Sequence, residues 1–380
     1  MKILTGDDNG LLKCTQLQVK EEPKLAFKYG LQKENHEIDD IKWSISEEET
    51  RYCTFIHSLG VVKTYDTHTE KTLFKKELEL DAESRIKSIF PVGDDIMEQK
   101  LIFAESTGKL SCIDLDVEDI EDQKQAEILT VKKSNDKKKL CAMLHRMKSQ
   151  YLCLGQFLPQ IFDIETKKCT WRGKNVPNDQ DDLEVPMFDT SGSFLPGSNR
   201  TFVISNGHGK IRLYDVCAQV RPVVDVEPCN YYLSNIKSTD CGNYVLYSSQ
   251  KGELTKADIR MDFRTVHRFK GSKGSIRGLA VASDFVACVG LDRYLRVYDH
   301  ETREAMANVY LKQKLNSVLI DVLSAKQYNL AIHEKRQEVE IEEEQAHQYY
   351  CEHYDRKPTK RKRRAEQPSD EKSKMVKIKD

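Results

Sequence analysis

The sequence predicts an all-β fold, a seven-bladed β-propeller followed by a disordered charged tail, and three observations predict it. A strand–turn–strand unit recurs seven times along the chain. The copies are spaced by about 40–50 residues, the period of one four-stranded propeller blade. Helical periodicity is absent until the C-terminal tail.

Each unit is a short apolar strand, a polar or glycine turn, and a second strand that usually closes on aspartate. The copies read ILTGDDNGLLKCTQL from Ile3, YCTFIHSLGVVKTYD from Tyr52, LIFAESTGKLSCIDL from Leu101 and YLCLGQFLPQIFD from Tyr151. TFVISNGHGKIRLYD from Thr201, YVLYSSQKGELTKAD from Tyr244 and FVACVGLDRYLRVYD from Phe285 complete the set. β-Branched and aromatic residues bounded by Gly, Asn or Asp are the pattern of strands. The closing aspartates Asp66, Asp114, Asp163, Asp215, Asp258 and Asp299 recur at one place in the repeat, so a local turn role is expected of them. Tyrosine stands before that aspartate at Tyr65, Tyr214 and Tyr298, where a WD repeat carries tryptophan, which makes these degenerate WD40-type repeats.

Between hairpins there is room for two further strands, visible as Lys24 to Tyr29 with Ile41 to Ser46, and as Arg264 to Lys270 with Ser275 to Ala282. The first hairpin has no strands before it, and Met306 to Leu311 with Leu315 to Val322 have no hairpin after them. The N-terminal pair, Ile3 to Leu17, is therefore expected to share a sheet with Met306 to Val322 and close the ring, which removes exposed sheet edges. The propeller is assigned to residues 1–324 and the tail to residues 325–380.

Lysine plus arginine, 60, nearly cancels aspartate plus glutamate, 61, so whole-chain charge carries no functional signal. Local charge does. Glu334 to Asp355 holds eight acidic residues against two basic, and Arg356 to Asp380 eleven basic against four acidic. That tail offers too little apolar surface to offset its ordering entropy. Its cluster Lys360, Arg361, Lys362, Arg363 and Arg364 reads as a nuclear-targeting or nucleic-acid segment. The chain opens MKILTGDDNG, without an apolar signal stretch, and no run has the length of a membrane span, so an intracellular, reducing compartment is expected. The eleven cysteines form no C-x-x-C pair. Cys53, Cys153 and Cys288 fall in apolar runs, where a thiol acts as a small hydrophobe.

No P-loop, nucleophile elbow, H-E-x-x-H or dinucleotide fingerprint is present, so the residues for the usual phosphate, nucleophile and metal chemistry are missing. His347, Cys351 and His353 lack the fourth spaced ligand of a structural zinc site. The reading is a non-enzyme with no cofactor and no metal, whose function is binding through rim loops held by the rigid sheets.

Two polar insertions interrupt the repeat, and both are expected to be loops. Glu118 to Lys139 is acidic first and basic last; Gly173 to Glu184 carries Pro, Asn and Asp and is expected to be turn-rich. The stretch Trp171 to Pro186 is the candidate partner surface: Trp171 and Val176 anchor it, Lys174, Asn175 and Asn178 suit phosphate or backbone recognition, and Asp179, Asp181 and Asp182 suit a basic partner. The competing reading is that its asparagines only hold local turns. Arg293 and Arg296 in GLDRYLRVYD are candidates for surface contact or for pairing within the chain.

Three stretches carry a family resemblance. FKGSKGSIRGLAV, CVGLDRYLRVYD and VYLKQKLNSVLI between Phe269 and Ile320, WRGKNVPNDQDDLEVP at Trp171 to Pro186, and HGKIRLYDVCAQVRPV at His208 to Val223, with the pair Arg221 and Pro222, resemble the WD repeat-containing protein 74 family. Lys174, Asn175, Asn178 and Asp179 make the resemblance specific. It implies a nucleolar scaffold on precursors of the large (60S) ribosomal subunit, bound to assembly factors and pre-ribosomal RNA and later removed by a hexameric AAA-type ATPase. It also implies a link to the RNA helicase of the nuclear exosome. A basic tail fits such RNA-rich partners through counterion release. The alternative is a substrate receptor of a cullin-type ubiquitin ligase, on Asp258, Ile259 and Arg260, although Ala257 stands where that motif has tryptophan.

Overall fold

The computed structural model divides into a compact unit, Met1–Ala331, and a second unit, Ile332–Asp380. It describes residues 1–335, 337 and 345, apart from residues 20, 45–49, 81–83, 94–97, 107–108, 117–125, 131–139, 145–149, 156–157, 164–165, 167 and 199.

The first unit is an all-β propeller whose described strands form seven four-stranded antiparallel sheets. The innermost strands are Leu315–Ile320, Ile38–Trp43, Ile86–Val92, Leu140–Leu144, Asp189–Phe194, Leu233–Ser238 and Ile276–Ala282. Each lies beside the next, and Ile276–Ala282 lies beside Leu315–Ile320. The core sits between neighbouring sheets: Ile56, Val62 and Phe74 of one pack against Ile86, Ile89 and Phe103 of the next.

Every predicted hairpin forms the two middle strands of a sheet, with one strand before it and one after it. That placement corrects the expected closure. Leu315–Ile320 pairs antiparallel with Lys2–Asp7, Ile3 opposite Ile320, as expected. Ala305–Tyr310, however, is the outer strand on Tyr294–Asp299 of the preceding sheet, and Lys24–Tyr29 is the outer strand of the first sheet. A hairpin has two free edges, and the nearest segment on each side of it in sequence fills one of them. Trp43 adds a bond across the closure, its indole Nε1 donating to the Ile320 carbonyl at 3.0 Å.

The insertion Glu118 to Lys139 is not loop throughout, because Ala126–Thr130 forms the outer strand on Lys109–Asp116. Its AEILT is the one apolar run inside two charged ones. The closing aspartates act locally, as expected: Asp66 accepts from the His68 and Thr69 amides, Asp215 from Cys217 and Asp299 from Glu301 and Thr302.

The tail expected from residue 325 begins as a helix instead, residues 322–331 being helical within the first unit. Asp321 caps it, accepting from the Ser324 amide at 3.1 Å. Ala325 and Tyr328 are buried, and the Tyr328 ring lies 5.6 Å from that of Phe285. The segment reads VLSAKQYNLA, and the three-residue spacing of Ala325 and Tyr328 puts both on the buried face while Leu323 and Leu330 stay exposed.

Alternation of antiparallel strands sorts the connections onto two rims. The hairpin turns and the links between an outer strand and the next inner strand fall on the same rim. Trp171 to Pro186, the turn holding Arg293, and Leu31 to Glu37 therefore share one rim.

Candidate functional site

The insertion from Gly173 leaves the outer strand Lys168–Arg172 and enters the inner strand Asp189–Phe194. It is irregular but tightly held. At its start the Gly173 amide donates to the Pro159 carbonyl and that of Lys174 to Val220, at 2.8 and 2.7 Å. The Asn175 Nδ2 donates to the Val185 carbonyl at 2.6 Å and its Oδ1 accepts from the Val176 amide at 2.9 Å, so one side chain ties both ends of the loop. Asn178 Nδ2 donates to the Asp182 carbonyl and carboxylate, and Asp179 Oδ1 accepts from the Asp181 and Leu183 amides. Asp182 there has φ 59°, the left-handed conformation that Asp tolerates better than most residues.

Beneath the loop lies Arg212, 1% exposed in the strand Ile211–Asp215. Its Nε donates to Asp225 Oδ1 at 3.1 Å and its Nη1 to Asn175 Oδ1 at 3.3 Å. Asp189, also buried, accepts from Asn206 Nδ2 at 3.4 Å, and burial pushes its carboxyl up to about 7 against the pull of Arg212. Trp171 packs edge-on to Phe202 and Tyr214, at 5.5 and 5.7 Å between ring centres.

Trp171, Asn175, Asn178, Asp179 and Asp182 build the loop's own shape, and Lys174, Asp181, Asp182 and Glu184 are exposed beside Leu183, which is 63% exposed. Asn178 thus bonds locally, as the competing reading has it, whereas Asn175 bonds across the loop to Val185 and to Arg212 beneath it, and the held loop presents mainly acids. Arg293 is exposed at φ 70° in its turn. Arg296 is buried and ion-paired with Asp292, and its guanidinium lies 4.9 Å from the Tyr294 ring centre, so it pairs within the chain instead of lining a surface. Arg260 pairs with Asp258 through two nitrogens, at 2.8 and 3.1 Å. The cluster Lys360 to Arg364 lies outside the described residues. Among the described residues no group of three or more His, Cys, Asp or Glu is placed to hold a metal ion.

Sequence reasoning missed Arg212 and Asp189. The available signal is an arginine between two apolar residues in IRLYD, where a half-buried strand leaves little room for a free cation.

No family model matches the chain. The fold is shared with the crystal structure of Chaetomium thermophilum Raptor, at a TM-score of 0.60 and 13% identity over 81% of this chain and 26% of that one. WD repeat-containing protein 74 of Homo sapiens is 36% identical over 166 residues, 42% of this chain and 43% of that protein. Ribosome biogenesis protein NSA1 of Meyerozyma guilliermondii is 32% identical over 180 residues, 41% of this chain and 45% of that protein. The matches thus span less than half the length of these curated relatives. Over these stretches the chain is similar both to WD repeat-containing protein 74 and to ribosome biogenesis protein NSA1.

Proposed function

We propose that this chain is a non-catalytic scaffold of the nucleolus, a closed seven-bladed propeller that binds precursors of the large ribosomal subunit and their assembly factors. The observation that carries the reading is homology to proteins named for ribosome biogenesis. The loop Trp171 to Pro186 is its main partner surface, because a loop pre-shaped by its own hydrogen bonds loses little conformational entropy on binding. The partner it fits is a basic segment of an assembly factor, met by Asp181, Asp182 and Glu184. Lys360 to Arg364 direct nuclear accumulation, and release by an AAA-type ATPase and contact with the nuclear-exosome helicase follow from the same family reading.

The test separates the two charges of the loop. Asp181→Lys with Glu184→Lys, both exposed, is compared with Lys174→Glu for co-sedimentation with large-subunit precursors and for thermal stability. The acidic-face variant is expected to leave the precursor fractions at unchanged melting temperature, and Lys174→Glu to stay in them. Full retention of the first variant would remove the loop from the binding surface. Co-purification of a cullin adaptor instead of precursor RNA and assembly factors would replace the scaffold reading altogether.

A further inference from the structure

A groove of about 780 Å³ opens on the same rim, at the outer strands Lys24–Tyr29 and Lys71–Glu77 of two neighbouring sheets. The Tyr29 hydroxyl is hydrogen-bonded to Thr72 Oγ1 between those strands. Its lining includes the apolar side chains of Leu31, Val61, Leu73 and Phe74. Leu31 is 78% exposed and Leu73 39% exposed, whereas Phe74 is buried.

Three lysines, Lys33, Lys63 and Lys75, line the same groove, with Glu77 as the only acidic lining residue among the described residues. Lys75 lies 3.7 Å from Glu77, but both are exposed and the pair is weak. Lys33 and Lys63 make no ion pair among the described residues; the Lys63 ammonium sits 5.5 Å from the Tyr29 ring centre and 6.0 Å from that of Phe55. Burial, then repulsion from Lys75 and Lys33, holds the Lys63 amine below its ordinary range. The cations thus face one apolar space and destabilise one another there. His57, 4% exposed, also lines the groove; its Nδ1 is 3.0 Å from the His36 carbonyl and its Nε2 has no partner among the described residues. Burial depresses that imidazole to about 4, so at neutral pH Nδ1 donates and Nε2 is a spare acceptor.

We infer that this groove docks an acidic peptide segment of a partner protein, one that places an apolar side chain among Leu31, Val61, Leu73 and Phe74 and its carboxylates on the three lysines. Charge complementarity selects an anion, and the apolar lining selects one that carries a hydrocarbon group. Nucleic acid fits less well. Tyr29 is packed against Tyr65 at 4.5 Å and Phe55 at 6.1 Å between ring centres, and Lys63 lies near both Tyr29 and Phe55, so the rings are not set out as a platform for stacked bases. Among the described residues no arginine lines the groove to grip phosphate in a fork. A peptide also carries the N–H donors that an acceptor such as His57 Nε2 lacks here, whereas a phosphodiester backbone offers only acceptors.

A phage-displayed library of random dodecapeptides is selected on the immobilised full chain, and enriched peptides are measured by fluorescence anisotropy. Enrichment of acidic sequences containing a large apolar residue is expected. Lys33→Glu with Lys75→Glu, both exposed, should weaken them by about tenfold or more through lost attraction and new repulsion, at unchanged melting temperature. Leu73→Ser, also exposed, is a second variant that alters no charge and should weaken them as well. The inference is overturned by no enrichment, by neutral or basic winners, or by equal binding to wild type and both variants. Lysine-dependent binding of labelled oligouridylate without any peptide binding would overturn it in favour of nucleic acid.

Discussion

Arg212 Nη1 donates to Asn175 Oδ1 at 3.3 Å, so a fully buried residue of one strand fixes an amide that ties both ends of a rim loop. The same guanidinium neutralises Asp225 through Nε at 3.1 Å. The candidate partner surface thus rests on a charge inside the propeller.

Replacing Arg212 with methionine keeps most of the volume but removes its hydrogen bonds to Asp225 and Asn175, while Asp225, at an exposed strand position, keeps Lys210 at 3.9 Å. Loss of hydrogen bonds to a charged group costs about 1.5–3 kcal/mol, read as a shift of the denaturation midpoint. Asn175→Ala should cost only about 1 kcal/mol, as for a hydrogen bond, while raising hydrogen exchange at the Val176 amide. Equal and small effects of both variants would refute the dependence of the loop on Arg212.

Asp189 makes stability fall as pH rises. Its folded carboxyl is pushed up to about 7 by burial, whereas the unfolded one titrates near the ordinary 3.8. Between those values the folded state holds a proton the unfolded state has lost, so the contribution is complete below the lower value and gone above the upper one. Asp189→Asn should therefore flatten the decline of unfolding free energy between those two values. An unchanged pH profile would show that Asp189 is ionised in the folded protein.

Deleting the first hairpin, Lys2–Asp7 and Leu12–Gln16, should convert the protein into an aggregating species, because the edge of Leu315–Ile320 loses its partner strand. Light scattering on the truncated chain checks this. Trp43→Phe, which removes the bond to the Ile320 carbonyl and shrinks a buried side chain, should cost about 1–3 kcal/mol and leave the protein monodisperse.

Thiol reactivity should follow burial. Cys14 and Cys288 are buried, and desolvation raises both thiols to about 11; Cys53 is buried and raised further. Cys169, Cys217 and Cys241 are exposed. Iodoacetamide at pH 8 should modify the exposed three in the native protein and reach Cys14, Cys53 and Cys288 only after unfolding, as mapped by peptide mass spectrometry.

The sequence by itself determined the repeat, the turn role of aspartates such as Asp66 and Asp299, and the pairing of the N-terminal hairpin with Leu315–Ile320. These follow from local rules: alternation along a strand, turn chemistry within a few residues, and unpaired strands at the two ends. It also marked out the insertion at Gly173, because a polar run breaks an apolar period. Packing alone settles which sheet takes Ala305–Tyr310, that residues 322–331 form a helix against the propeller, that Asn178 bonds inside the loop and Asn175 also to Arg212, and that Arg296 turns to Asp292. Each of those outcomes depends on a neighbour supplied by packing: a vacant strand edge, the Phe285 ring, Arg212 under the loop. A linear pattern shows what a residue can bond to, and the fold alone sets which of those partners lies within reach.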